Sequence, residues 1–365
     1  GFHLDHPEYS NGQPVAEVTL GFTALATADG IAPRGNRYPG LWYFVGRERS
    51  FRWWRHTRGL EVAEIPGHEE LVRLVAPVVA DVGNPGHSPD TRALERLGSI
   101  LPRSLGREWP AGQTLYLVPD GPLQAVPWGL LPLGAGSGEI LLDRGPLLEI
   151  PAVSSRSRRA TNTRRSLLAV GDDRPLPAAT GGADSDLRHA EIEAVGVAAM
   201  WPTEAVTLLL GQDADGLETS DFEGRDVIHI ASHARFSQGV NNRSTLRFAA
   251  AGAPLTADGM GRRSLSADLI YLSCCEGDRP LAAGGLRSFA RACLRAGAGA
   301  VVASGQRIDD EAAAALALNF YRHWLAGSAA PEALRAAQLE VRADRPAWSH
   351  PYYWATYRII GFAAP

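Results

Sequence analysis

Apolar residues along this chain fall into two rhythms. In the first third, short aromatic runs at residues 17–24, 41–45, 51–56 and 60–65 alternate with polar turns. Runs of that length and composition predict a meander of antiparallel strands. Helical spacing follows at 68–82 and 89–105, and then a short apolar strand at 114–118, stopped by the turn formers Pro119, Asp120 and Gly121. After residue 165 the rhythm changes. Strand patterns at 166–170, 206–210, 226–231, 268–273 and 298–304 are separated or followed by helical patterns at 184–200, 285–296, 309–325 and 330–341. The last three strands are apolar at consecutive positions, as strands buried on both faces of a parallel sheet must be. This order predicts an α/β architecture, a helix-flanked and mostly parallel sheet behind a β-rich N-terminal half. Asp309 is placed to cap the helix at 309–325, with Asp310 and Glu311 in its first turn.

The segments between these elements set the expected boundaries. Residues 1–14 are polar and read as a tail or linker, 15–155 as the N-terminal half, and 166–363 as the second half. The stretch SSRSRRATNTRR at 154–165 is basic and unpatterned, so 156–165 is expected to be an exposed loop. GAGSG at 134–138 has neither the following helix nor the lysine of a phosphate-binding loop, and it reads as a turn.

Composition narrows the classes. A hydrophobic content of 45% and a charged content of 21% are those of a soluble globular protein with an ample core. A net charge of −4 implies no general attraction to nucleic acid or to acidic membranes. No signal peptide is visible at 1–13, and no apolar run reaches the length of a membrane span. Three cysteines, two of them adjacent, do not make a disulfide framework, and a reducing cytoplasm is the expected location. All 36 basic residues are arginine, which fits a high-GC bacterial codon bias and is background. The chain opens on Gly1 rather than Met, as expected of a piece of a longer protein with flanking domains.

The candidate chemistry lies at two strand ends. HIASHARF at 229–236 carries His233 just past the predicted strand 226–231, and LSCCEG at 272–277 carries Cys275 just past 268–273. Ligands of open α/β sheets bind at the carboxyl ends of the strands. If the two strands are neighbours, His233 and Cys275 reach one rim, the arrangement of a Cys–His nucleophile pair. There the imidazole makes the reactive thiolate accessible at neutral pH. A Cys or His beside an apolar strand is more often core filler, so the pairing carries this reading. A metal site built from His229, His233, Cys274 and Cys275 fits poorly. The two histidines are spaced for a helix but lie in a strand pattern, and adjacent cysteines lack the gap needed to grip one zinc ion.

Taken together, DVIHIASHARF, ADLIYLSCCEG, GGLRSFARACLRAGAGAVVAS, IDDEAAAALALNFYRHWL, EALRAAQ and HPYYWATYRIIG resemble the CHAT family, caspase-like cysteine peptidases of clan CD related to caspases and separase. YFVGRERSFRWWRHTRGLEVAEI and LYLVPDGPLQAVPWGLLPL resemble the front of such domains, so the likeness runs from about residue 15 to 361. By this resemblance the histidine ending H-x-x-x-H is His233. The fourth residue of the family's L-S-A-C stretch is Cys275, with Cys274 in the alanine position. Strand alternation turns Cys274 to the opposite face, as a small buried residue. The backbone N–H groups of Ala234 and Cys275 then form the oxyanion hole. Ala234 replaces the usual glycine, and Gly305 or Gln306 an often-found tryptophan.

The implied activity is a metal-free and cofactor-free cysteine endopeptidase acting on a protein substrate, in a bacterial defence or regulated-proteolysis system. By likeness to separase, 15–155 is a pseudo-caspase or β-rich support. The family also implies an upstream sensor or repeat domain outside this chain. Ser304, Gln306, Asp309 and Asp310 border the expected groove, and the two carboxylates fit a pocket for a basic residue before the scissile bond. Arg158, Arg159, Arg164 and Arg165 are then candidate self-cleavage sites, and Arg307 is placed to offset the acidity. Against this, Asp309 and Asp310 also fit plain helix-end roles. The rival functions are a catalytically silent caspase-like binding or scaffold module, and an acyl transferase using the same dyad.

Overall fold

The computed structural model describes residues 39–134, 136–151, 166–174, 188–235, 245–246, 255–275, 283–307 and 309–361. Of these, 233–235, 245–246, 275 and 283–288 are described by their backbone alone. The expected tail at 1–14, the strand at 17–24 and the basic loop at 156–165 lie outside the described residues. The chain divides into two compact units, 1–155 with 363–365, and 156–362.

The first unit holds β1 Gly40–Val45, β2 Arg49–His56, β3 Gly59–Pro66, β4 Leu115–Val118 and β5 Leu147–Glu149. β1, β2 and β3 form the antiparallel meander, while β4 pairs parallel with both β1 and β5. The predicted helix at 68–82 is α1, His68–Val82. The helix expected at 89–105 is shorter. α2 spans Thr91–Gly98, and only a four-residue turn, Leu105–Glu108, follows. Pro102 stands between them, and a proline ring there cannot continue the helical hydrogen bonds.

The second unit is built on β6 Leu167–Gly171, β7 Val206–Leu210, β8 Val227–Arg235, β11 Leu269–Cys275, β12 Ala300–Ser304 and β13 Tyr357–Gly361. Two-residue strands β9 Thr245–Leu246 and β10 Leu255–Thr256 extend the far end of β8. Pairing gives the order β7-β6-β8-β11-β12-β13, parallel except for β13. The expected neighbours, the His strand beside the Cys strand and β12 beyond it, are as the sequence implied. β13 pairs antiparallel with β12, and the sequence pattern does not mark it as a strand.

Alternation divides the sheet residues between two helical layers. Leu168, Val170, Ile228, Ile230, Ile270, Leu272, Cys274, Val301 and Ala303 share one core with Phe289, Cys293 and Leu294 of α4, Ala283–Ala296. The opposite face is covered by α3 Ala190–Ala198 and α5 Asp310–Leu325, whose Ala190 packs on Ala231 and whose Tyr321 meets His229. α5 begins as expected, with the Asp309 side chain accepting from the Ala312 N–H at 2.9 Å. It turns into α6, Ala330–Asp344, past Gly327 at φ 109°, where a glycine adopts this conformation without strain.

α3 lies very close to the sheet at Gly171. A Cβ placed there would stand 2.8 Å from the Ala190 carbonyl oxygen and from the Ala194 side chain. Gly171→Ala is therefore expected to push α3 outward and to destabilise the second unit by about 1–3 kcal/mol. Gly216, whose Cβ position meets nothing within 4 Å, gives the control. Thermal unfolding monitored by circular dichroism should show a lower midpoint for Gly171→Ala and an unchanged one for Gly216→Ala.

Candidate active site

From β6 the chain goes to one side for β7 and then to the other side for β8, so the order reverses between β6 and β8. The carboxyl end of such a reversal is where open α/β sheets form their binding crevice. The two chemistry-bearing strands run further toward this edge than the apolar pattern indicated. β8 continues to Arg235 and β11 to Cys275, so His233 and Cys275 lie within the ladder rather than past it. The reason is local: Ser232 and His233 end the apolar run, but pairing with β11 and β9 keeps the backbone extended.

The register is seven rungs long, from Leu269↔Val227 to Cys275↔His233. Neighbouring strands lie about 4.8 Å apart, so the last rung sets the Cα atoms of the two candidate residues side by side. Ala234 follows at the point where pairing passes to Leu246 of β9. Cys274 belongs to the other face, as expected. It is buried in the α4-side core, and its Sγ lies 3.7 Å from the Ile230 carbonyl. Cys293 shares that core, where burial pushes its thiol up to about 12.

The residues expected to border a groove are engaged in local bonds. The Ser304 hydroxyl donates to the Gln306 carbonyl at 2.8 Å and lies 2.9 Å from the Thr356 hydroxyl, while the Gly305 N–H donates to the Thr356 carbonyl at 3.0 Å. Ser304 and Gln306 are both buried. Asp309 caps α5, and Asp310 accepts from the His189 N–H at 2.6 Å and lies 3.1 Å from its Nδ1. Burial raises the Asp310 pKa, opposed by its hydrogen bonds to His189. Each carboxylate keeps one oxygen outside these bonds. Arg158, Arg159, Arg164 and Arg165 lie outside the described residues.

Beneath the last rung the sequence reading missed a polar cluster. Glu193 of α3 is 1% exposed and His229 of β8 fully buried. The Ser273 hydroxyl donates to Glu193 Oε2 at 3.0 Å, and His229 Nε2 lies 3.3 Å from Glu193 Oε1. That second contact is a close approach without hydrogen-bond geometry, since both of its atoms lack a formed bond. His229 Nδ1 lies 3.4 Å from the Tyr321 hydroxyl, and its ring packs on Tyr271. The Tyr271 and Tyr321 phenols are held well above their ordinary range, first by burial, then for Tyr271 by Tyr357 and for both by Glu193. A sequence signal existed. Ala190, Ala194 and Val197 mark the buried face of α3, and Glu193 falls on it.

A mostly parallel sheet between helical layers, with histidine and cysteine on the last rung of its two central strands, is the architecture expected of a caspase-like domain. The CHAT domain family matches residues 91–362, most of the chain, and the chain belongs to that family. The match starts at α2, so the meander β1–β3 precedes it. No curated protein matches the chain significantly. Among solved structures it is similar to the Arg-specific cysteine proteinase gingipain R, at 11% identity and a TM-score of 0.48, covering 81% of this chain and 74% of that one. The complex of Porphyromonas gingivalis RgpB pro- and mature domains scores 0.45 at 11% identity, covering 81% and 76%. A Geobacter sulfurreducens protein scores 0.34 at 15% identity, covering 53% and 91%. Likenesses this distant carry no residue-level correspondence. Among the described residues no helix is long and apolar enough to cross a membrane.

The burial of Cys274 and Cys293 sets an expectation for thiol chemistry. Neither should react with maleimide at neutral pH in the folded protein, and both should be labelled in guanidinium. Peptide mapping by mass spectrometry checks this, and labelling of Cys293 in the native protein would contradict its place in the core.

Proposed function

We propose that the chain is a cysteine endopeptidase acting through Cys275 and His233. The observation that carries this reading is the pairing of Cys275 with His233 on the last rung of β8 and β11, in a chain of the CHAT family. The Cys275 thiolate attacks the scissile carbonyl carbon, and a C–S bond forms as the carbonyl π electrons move to oxygen. The backbone N–H groups of Ala234 and Cys275 are the proposed donors to that oxyanion. The C–N bond then breaks, and the His233 imidazolium gives its proton to the departing amine. Water, losing a proton to His233, attacks the thioester and releases the carboxylate product and the thiolate. The cycle consumes one water and needs no redox partner.

The proposed substrate is a protein, in a bacterial defence or regulated-proteolysis setting with an upstream sensor domain. The end of β12 and the start of α5, with Ser304, Gln306, Asp309 and Asp310, are the proposed border of the groove. Its specificity for a basic residue before the scissile bond rests on the carboxylate oxygens that helix capping and His189 leave unused. Arg158, Arg159, Arg164 and Arg165 remain the proposed self-cleavage sites.

Cys275→Ala is expected to abolish cleavage of a randomised peptide library, and His233→Ala to reduce it by about a hundred- to ten-thousand-fold, both with unchanged thermal stability. Cys274→Ala should keep most of the activity. Equal losses in Cys274→Ala and Cys275→Ala would overturn the assignment of the nucleophile. A folded wild-type protein that cleaves nothing and binds peptides equally with either cysteine replaced would be a silent binding module.

In the same library the wild-type protein should cut after arginine, and Asp309→Asn with Asp310→Asn should weaken that preference. Cleavage after leucine or aspartate, unchanged in the double variant, would remove the acidic pocket.

A further inference from the structure

Burying a carboxylate between a helix and a sheet is expensive unless its bonds are made. Glu193 is buried in that way, and its two oxygens reach two different strands. Oε1 is 3.3 Å from His229 of β8, and Oε2 accepts from Ser273 of β11. β8 carries His233 and β11 carries Cys275. Strand alternation assigns positions 229, 231 and 233 to one face of β8, and 271, 273 and 275 to the same face of β11, so Glu193 ties the ladder on the α3 side. Ser273 lies one same-face step, about 7 Å, below Cys275.

We propose that Glu193 is a positioning residue for the candidate dyad, with His229 and Ser273 as its two anchors. This inference rests on the peptidase reading given above. Glu193 holds the two strand ends in the register that sets residue 233 beside residue 275. A covering helix contributes the anchor, and it can do so only because Gly171 lets α3 approach β6 closely. Purely apolar packing would tolerate a small shift of one strand against the other. A buried carboxylate that accepts from Ser273 of β11 and lies 3.3 Å from His229 of β8 does not, because a shift stretches the first contact or moves the second oxygen away from the imidazole beside it.

The ionisable groups facing Glu193 are His229 from β8, Tyr271 from β11, and Tyr321 and Asp310 from α5, with Asp310 itself bound to His189. A looser strand pair separates thiol from imidazole. It therefore moves the pH midpoint of Cys275 alkylation up, toward about 8.5 for a free thiol. Simple removal of a buried negative charge would move it down, so the direction of the shift separates the two effects.

The test combines peptide kinetics with iodoacetamide alkylation of Cys275, followed by mass spectrometry across pH. The variants are Glu193→Gln and, as a smaller perturbation, Ser273→Ala. Glu193→Gln should lower kcat roughly ten- to a hundredfold with KM within threefold, and should raise the alkylation midpoint. Ser273→Ala should do both to a smaller extent, and the double variant should be no worse than Glu193→Gln alone. A midpoint that falls or stays, or kcat losses that multiply in the double variant, would overturn the positioning role. If Glu193→Gln does not fold, Ser273→Ala alone decides it, and an unchanged kcat and midpoint there overturns the role. A wild-type Cys275 with the midpoint of a free thiol and no cleavage would instead overturn the peptidase reading, and the inference with it.

Discussion

The parallel pairing of β8 with β11 is the constraint on which the rest of the second unit depends. Seven consecutive rungs fix where each strand ends relative to the other. A slip of one residue would move every side chain of a strand to the opposite face. It would bring Cys274 to the rung of His233 and turn Ile270 and Leu272 out of the core. The apolar residues of one face and the polar cluster of the other therefore enforce one register together. Burial supplies most of the favourable free energy, and the Ser273–Glu193 hydrogen bond favours the same register.

Helix placement follows from that sheet. α4 covers the apolar face with Phe289, Cys293 and Leu294, and α3 and α5 cover the other. On the second face the packing is mixed. Tyr271, Tyr321, Phe320 and Trp324 form a set of contacting rings beside the buried His229 and Glu193. Aromatic side chains suit this position, because they fill volume and leave a hydroxyl to meet a polar neighbour. The helix-end residues Asp309 and Asp310 serve the same assembly, one capping α5 and the other binding the start of α3 through His189.

Much of this was legible in the sequence, for identifiable reasons. Strands buried on both faces are continuous apolar runs, so β8, β11 and β12 announced themselves, and their order followed from the chemistry at two of their ends. Where the reading went astray, tertiary pairing had overridden local pattern. β8 and β11 extend beyond their apolar residues because the neighbouring strands supply partners for the backbone. β13 is only five residues long and takes its place by antiparallel pairing with β12. α2 stops early because the sequence ahead holds Pro102. Glu193 was passed over because a glutamate in a helix is ordinarily solvated. Its place among Ala190, Ala194 and Val197 was the only sign that it faced inward, and its partners lie 36 and 80 residues away.

Residue 275, and neither of the other cysteines, is the proposed nucleophile, served by residue 233. The most direct measurement is covalent trapping by a peptidyl acyloxymethyl ketone, with the adduct located by mass spectrometry in wild type and in His233→Ala. The proposed dyad predicts one adduct per chain, on Cys275, formed rapidly in the wild type and strongly slowed without His233. An adduct on Cys274 or Cys293, or labelling of Cys275 at the same rate with and without His233, would contradict it.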